Sequence, residues 1–232
     1  MKLTSTILWW FVVAIGMTAV SCVDNRSPVV HGRLQYDGID LSSHQGLVDW
    51  EKVAADDQIT FVYIKATEGA TYHSPHYDYN VRHARAVGLA VGSYHYFTTT
   101  ASVDKQVENF VRHATPDTQD LIPMIDVENV GSFTRRQLID SVLVMARRLE
   151  DFYGKKPVIY SMATFYNTYL APQLNEYPLY LGRYSNAEPV IDWQGHYTVW
   201  QYSDQGVVAG IGHYVDMCRF SPDSSLDDLR LH

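Results

Sequence analysis

Two carboxylates separated by one residue, Asp126 and Glu128, indicate acid–base chemistry more directly than any other feature of this sequence. They follow an apolar run, residues 121–125, that is typical of a buried strand. Alternate side chains of a strand share a face, so both carboxyl groups are expected on one side, with Cα atoms roughly 7 Å apart. Two acids this close perturb each other's ionisation, so one can hold a proton while the other carries charge. An isolated pair of this kind is more often a solvated strand end. The surrounding elements must decide between that interpretation and a functional pair of acids.

The surrounding pattern predicts strands and helices in alternation, followed by strands alone. The predicted strands are 36–41, 61–66, 90–97, 121–127 and 157–161, and the predicted helices are 48–54, 77–87, 102–113, 134–153 and 163–170. Three more strands, 178–181, 198–202 and 214–217, have only short connections. Alternation implies a parallel sheet, so we expect an α/β fold, an incomplete TIM-like barrel of five β/α units and three further strands.

Functional side chains of such barrels collect at the carboxyl ends of the strands. Asp40 and Asp216 end the first and last predicted strands, and with Asp126 and Glu128 they are the catalytic candidates. The candidates for substrate contact are Lys65, Tyr94, Tyr96, Tyr160, Trp200 and Tyr202. Each has a structural alternative: either aspartate could close a turn, Lys65 could be an ion-pair partner within the barrel, and each ring could belong to the core.

Composition bounds the class of protein. The 232-residue chain has a net charge of −8 and no cluster of Lys and Arg, so nucleic acid is not an expected partner. Its 46% hydrophobic content is ample for one core, and one catalytic domain is expected over residues 36–232. The 17 tyrosines and 5 tryptophans indicate a densely packed interior or a groove lined with rings. We expect a monomer.

Two cysteines, Cys22 and Cys218, exclude a disulfide framework and a cysteine-based metal cluster. Cys218 is expected to be buried as a small apolar residue, although a bridge to Cys22 stays open. His73 and His76 have metal-like spacing but no cysteine nearby, so neither a metal nor another cofactor is expected.

Residues 1–22 are typical of an export signal. Lys2 precedes an apolar run of about 14 residues, 7–20, which is short for a membrane span. Small residues then lead to Cys22, as in lipoprotein signals whose cysteine is lipidated, although an ordinary signal peptidase could also cleave here. We expect lipidation at Cys22, residues 23–35 as a flexible tether, and no other membrane contact. The location expected is the bacterial cell envelope, or secretion as second choice.

Six segments, in this order, resemble glycoside hydrolase family 25, the lysozymes of the Chalaropsis type. They are 38–46 (GIDLSSHQG), 64–69 (IKATEG), 92–97 (GSYHYF), 126–128 (DVE), 200–202 (WQY) and 215–216 (VD). The resemblance spans about residues 36–220 and implies the same incomplete barrel. It also implies hydrolysis of the β-1,4 bond between N-acetylmuramic acid and N-acetylglucosamine in peptidoglycan, with net retention.

The resemblance assigns roles to the four acids. Glu128 would be the general acid/base, Asp126 would assist the N-acetyl group of the substrate as internal nucleophile, and Asp40 and Asp216 would shape the electrostatics of the groove. The sequence does not separate this route from direct attack by a carboxylate, which needs carboxyl groups roughly 5–5.5 Å apart. Two alternatives stay open: a weakly catalytic or non-catalytic peptidoglycan-binding surface protein, and a hydrolase of chitin-like N-acetylhexosamine chains.

Overall fold

The computed structural model describes residues 35–232. The predicted export signal, Cys22 and all but the last residue of the predicted tether lie outside the described residues. Between residues 35 and 232, no helix is long and apolar enough to cross a membrane.

The described chain alternates strands and helices for most of its length. The strands are β1 (Gly38–Leu41), β2 (Phe61–Glu68), β3 (Tyr72–His73), β4 (Ala90–Tyr96), β5 (Met124–Asp126), β6 (Val158–Met162), β7 (Leu179–Gly182), β8 (Val199–Gly206) and β9 (Val215–Phe220). The helices are α1 (Trp50–Val53), α2 (Tyr77–Ala86), α3 (Val103–His113), α4 (Arg135–Tyr153) and α5 (Ala163–Phe165), the last continuing as a π-helix over Tyr166–Leu170. Short 3-10 turns cover Ser43–Gln45, Pro116–Thr118 and Leu226–Leu229.

Eight of these strands close into a barrel. The order is β1-β9-β8-β7-β6-β5-β4-β2, and β1 pairs with β2 to complete the ring. Every pairing in the ring is parallel except those of β9, which runs antiparallel to both β8 and β1. The predicted α/β class, with five β/α units followed by three strands, is confirmed.

Two features of the sheet were not predicted. Strand β3 forms an antiparallel hairpin on the outer edge of β2 and lies outside the ring. Strand β9 reverses direction because only residues 207–214 connect it to β8. A parallel neighbour needs a crossover of about a dozen residues or more, and this connection is too short for one.

Helix ends follow their sequence signals. Thr134 caps α4 and exchanges hydrogen bonds with Gln137 in a capping box, and Gly154 ends the helix in the left-handed conformation at φ 79°. Ser102 caps α3 by accepting a hydrogen bond from the Lys105 amide. These ends fix where each helix returns the chain to the next strand.

The barrel interior is a column of aromatic rings. Phe61 and Tyr63 of β2 meet edge to face, with ring centroids 6.3 Å apart. Tyr63 contacts Tyr180 at 5.9 Å, and Tyr180 contacts Tyr160 at 5.6 Å. Strands β2 and β7 are separated by three strands in the sheet, so the Tyr63–Tyr180 contact crosses the interior. The aromatic content predicted as core or groove therefore serves largely as core.

Glycines opposite two of these rings make the column possible. Gly38 pairs in register with Phe61, and Gly92 pairs with Tyr63. A Cβ atom at either glycine would overlap the ring of its partner. Small residues on β1 and β4 therefore leave room for large ones on β2, as a close-packed barrel interior requires.

We expect Gly92→Ala to destabilise the fold by about 1–3 kcal/mol, because overpacking a core forces ring or backbone shifts. Gly212→Ala is the matched control, since a Cβ atom there meets nothing within 4 Å. Urea unfolding of the two variants and the parent domain gives the difference in free energy. Equal stability of both variants would show that the Tyr63 ring does not depend on Gly92.

Candidate active site

The four predicted catalytic acids lie at one end of the barrel. Asp40 is in β1, Asp126 is the last residue of β5, and Glu128 follows two residues later. Asp216 is near the beginning of β9, not at the end of a strand as predicted. Because β9 is antiparallel to its neighbours, its beginning lies at the same face as their carboxyl ends. The predicted position of Asp216 at a strand end was therefore wrong, but its predicted position at this face of the barrel holds because the strand is reversed.

A pocket of about 190 Å³ opens at this end of the barrel. All four acids line it, and so do four of the six predicted contact residues: Lys65, Tyr94, Tyr96 and Tyr160. Three lining residues were not predicted as site residues, namely Met124, Tyr184 and Gln201.

Trp200 and Tyr202, the other two predicted contact residues, do not line this pocket, which corrects the expected lining. Their rings contact each other at 5.9 Å, and the Trp200 indole donates a hydrogen bond to the Arg183 carbonyl at 2.8 Å. Both are buried on the face of β8 opposite to Gln201, because alternate residues of a strand point to opposite faces. The polar residue between two aromatics was the signal for which face is inward.

Asp40 is the hydrogen-bonded centre of the pocket floor. Its Oδ2 accepts hydrogen bonds from the Tyr180 hydroxyl at 2.9 Å, the Gln201 amide at 2.9 Å and the Cys218 thiol at 3.2 Å. Three donors on one oxygen suit a carboxylate. Cys218 is thus a buried free thiol with a polar contact, and its pKa is raised by burial and by the charge of Asp40.

Asp216 is the direct register partner of Asp40 on the neighbouring strand. Burial, the charge of Asp40 and a hydrogen bond between the two carboxyl groups raise the pKa of Asp216 to about 10. Two adjacent buried carboxylates cannot both ionise without strong repulsion. With its pKa raised this far, we expect Asp216 to hold its proton at neutral pH beside Asp40.

Asp126 and Glu128 form a second pair of interacting acids. Burial and then the charge of Glu128 raise the pKa of Asp126 well above its usual value, against the opposing effect of Lys65. Burial also raises the pKa of Glu128, while a hydrogen bond from Tyr160 opposes the rise. The pair therefore resists losing both protons. Asp126 Oδ1 is buried and has no hydrogen-bond partner.

Lys65 is the one cation among the residues that line the pocket. Its Nζ lies 2.7 Å from Glu68 Oε2 and 4.7 Å from the centroid of the Tyr96 ring. The ion pair with Glu68 leaves the ammonium at the pocket wall, where it moderates the charge of the acids.

Among the described residues, no histidine lines the pocket. His95 is fully buried between Thr67 Oγ1 at 2.7 Å and Gln106 Oε1 at 3.1 Å, and burial lowers its pKa to about 4. His73 stacks on His113 with centroids 3.8 Å apart. Over the described residues, no group of three or more His, Cys, Asp or Glu side chains is placed to hold a metal.

Several known proteins are similar to this chain in sequence and in fold. The model of the glycosyl hydrolases family 25 matches residues 39–211. The chain is 37% identical over 188 residues to the uncharacterized protein YegX of Escherichia coli K12, covering 79% of this chain and 69% of that protein. It is 34% identical over 187 residues to the autolytic lysozyme of Clostridium acetobutylicum, covering 79% of this chain and 55% of that protein. The bacterial lysozyme structure from Streptomyces coelicolor matches with a TM-score of 0.76 and 26% identity, covering 84% of this chain and 96% of that chain.

A barrel mouth lined by carboxyl groups with raised pKa values is the equipment of a glycoside hydrolase, which needs a proton donor and negative charge beside a cationic centre. The match over residues 39–211 identifies which family of glycoside hydrolases this is. The chain belongs to family 25 of the glycosyl hydrolases and is an enzyme of that class.

The Asp216 proton has a consequence for stability. An unfolded aspartate releases its proton near pH ~3.9, whereas the folded protein keeps it until about pH 10. The stability contribution is therefore full below the unfolded pKa and is lost as pH rises through this window. Asp216→Asn keeps an N–H donor for Asp40 and removes the ionising group, so its free energy of unfolding should fall less steeply with pH than that of the parent.

Denaturant unfolding at a series of pH values measures the two slopes. Asp223→Asn is the matched control, because Asp223 is exposed on the surface after β9. A slope for Asp216→Asn equal to those of the parent and the control would contradict proton retention at Asp216.

Proposed function

We propose that this enzyme is a muramidase that hydrolyses the β-1,4 bond between N-acetylmuramic acid and N-acetylglucosamine in peptidoglycan. One observation carries the proposal: in a pocket lined by four carboxyl groups, the buried Asp126 Oδ1 has no partner, and it lies beside the acid Glu128. An acetamido N–H of the substrate would supply the missing donor. The autolytic lysozyme among its relatives, 34% identical, supports the same substrate.

Glu128 is the proton donor in this proposal. Burial raises its pKa, which keeps the carboxyl group protonated for transfer to the leaving glycosidic oxygen. Once the leaving group departs, the ionised Glu128 activates water for the second step. The anomeric carbon is thus attacked first by the acetamido oxygen of the substrate and then by water. Each attack inverts the configuration, so the net result is retention.

Asp126 orients the substrate's own nucleophile. With an acetamido N–H on Asp126 Oδ1, the charged form of Asp126 is favoured, and the proton that the pair retains stays on Glu128. The same hydrogen bond increases the electron density of the acetamido oxygen, which attacks the anomeric carbon. Asp40 supplies a negative charge beside the sugar. Asp216 supplies a proton that limits the repulsion between these two carboxyl groups.

Glu128→Gln should lower the rate of clearing of purified cell walls by about 10²–10⁴-fold, because glutamine cannot give a proton to the leaving oxygen. Glu51→Gln is the matched control, since Glu51 is exposed on α1 and outside the pocket. Both rates are followed as loss of turbidity, and thermal unfolding confirms that each variant is folded.

Two results would contradict the assignment. Equal clearing by parent and Glu128→Gln would remove Glu128 as the acid, and no clearing by any protein would leave a binding protein as the alternative. Analysis of the released reducing ends decides the bond: N-acetylmuramic acid ends are expected, and N-acetylglucosamine ends would indicate the other linkage.

We also propose that the enzyme acts in the cell envelope, tethered by a lipid on Cys22. The support is the sequence alone, an apolar run closing on Ser21-Cys22. Growth of an expressing strain with labelled fatty acid should label the parent protein and leave Cys22→Ala unlabelled. Equal labelling of both, or of neither, would contradict the anchor.

A further inference from the structure

Both polar atoms of the Gln201 side chain hydrogen-bond to other residues that line the pocket. It is 2% exposed, and its Nε2 donates a hydrogen bond to Asp40 Oδ2 at 2.9 Å. Its Oε1 accepts hydrogen bonds from the Tyr160 hydroxyl at 2.7 Å and the Tyr184 hydroxyl at 3.1 Å. One amide thus connects β1, β6 and the loop after β7 beneath the pocket.

The orientation of this amide is fixed by its partners. Asp40 accepts three donors on one oxygen, so the atom that faces it must carry a hydrogen. The two tyrosine hydroxyls need an acceptor on the other side. A flipped amide would place its oxygen against the Asp40 carboxylate, and a carboxylate of the same shape would do the same.

Gly182 leaves room for this arrangement. A Cβ atom at Gly182 would lie 3.0 Å from the Tyr160 hydroxyl and 3.1 Å from Gln201 Oε1, and closer still to Met162 Sδ. A methyl group there would press on the hydrogen bond between Tyr160 and Gln201 without removing any polar group.

The Tyr160 hydroxyl has one proton and two oxygen acceptors within reach. It donates to Gln201 Oε1 at 2.7 Å, and the Glu128 carboxyl group lies close enough for a hydrogen bond from Tyr160 to lower its pKa. While Glu128 is protonated, Tyr160 can donate to Gln201. When Glu128 becomes charged, Tyr160 can turn to it, and Gln201 Oε1 retains the hydrogen bond from Tyr184.

We propose that Gln201 is a positioning residue, whose amide holds Asp40 on one side and Tyr160 on the other in the arrangement that hydrolysis requires. The inference rests on the proposed function, because it assigns a part in that reaction. It concerns Gln201 because, among residues 35–232, this is the side chain that hydrogen-bonds both to the Asp40 carboxylate and to the Tyr160 hydroxyl.

Gln201→Glu is the discriminating variant, because it keeps the shape and the acceptor oxygen while replacing the donor to Asp40. At low pH the new carboxyl group is protonated and can still donate to Asp40. As pH rises it ionises and repels Asp40. We expect the ratio of variant to parent kcat/KM on soluble peptidoglycan fragments to fall about 10- to 100-fold between about pH 4 and about pH 10, where Asp216 beside the same Asp40 also loses its proton, as loss of a hydrogen bond to a charged group predicts.

Stability gives a readout that needs no activity. Burial and the Asp40 charge should raise the folded pKa of the introduced carboxyl group above its unfolded value of roughly 4.3. The variant should therefore match the parent in thermal midpoint at low pH and fall progressively below it as pH rises. Gln58→Glu, an exposed residue before β2 at the opposite end of the barrel, should show neither pH trend.

Gln201→Leu and Gly182→Ala complete the design. Gln201→Leu should lower kcat at every pH, and Gly182→Ala should lower kcat with little change in KM. A Gln201→Glu ratio that is constant with pH, or Gln201→Leu activity within twofold of the parent, would overturn the positioning role. If the parent itself clears no walls, the proposed function fails instead, while a flat stability difference would still disprove the contact with Asp40.

Discussion

Closure of the barrel by β9 is the constraint on which the site depends. This strand runs antiparallel between β8 and β1, and its register places Asp216 directly opposite Asp40. A parallel strand in the same position would carry residue 216 toward the other end of the barrel. The short connection 207–214 therefore does more than end the fold, because it decides that a fourth acid reaches the pocket.

Four carboxyl groups in a small pocket repel one another when they are charged. Protonation reduces this repulsion more than neighbouring cations do. Lys65 is the one lining cation, and Glu68 already pairs with it. Instead, burial and mutual repulsion raise the pKa values of Asp126, Glu128 and Asp216, so that the pocket holds protons at neutral pH. A retained proton is what a general acid needs, so the cost of burying these groups and the chemistry they can perform have the same origin.

Much of this arrangement could be predicted from the sequence, because parallel strands gather their carboxyl ends at one face. That rule predicted Asp40, Lys65 and Tyr160 for one pocket. It failed at Trp200 and Tyr202, because both faces of a covered barrel strand are apolar and hydrophobicity does not tell which one is inward. Gln201 held that information as a buried polar residue.

Other features had no comparable local signal. Strand β3 is two residues long, and Tyr184 lies in the loop after β7, where no periodicity applies. The hydrogen bonds of Gln201 depend on side chains from three separate elements, which only the folded chain brings together. Strand ends can therefore be predicted individually, whereas their mutual contacts cannot.

The placement of the substrate can be tested by a crystal structure of the Glu128→Gln variant with a bound peptidoglycan disaccharide repeat. We expect the sugar to occupy the barrel mouth, its acetamido N–H to donate to Asp126 Oδ1, and the glycosidic oxygen to face the side chain of residue 128. A sugar bound outside this pocket, or an acetamido group turned away from Asp126, would contradict it.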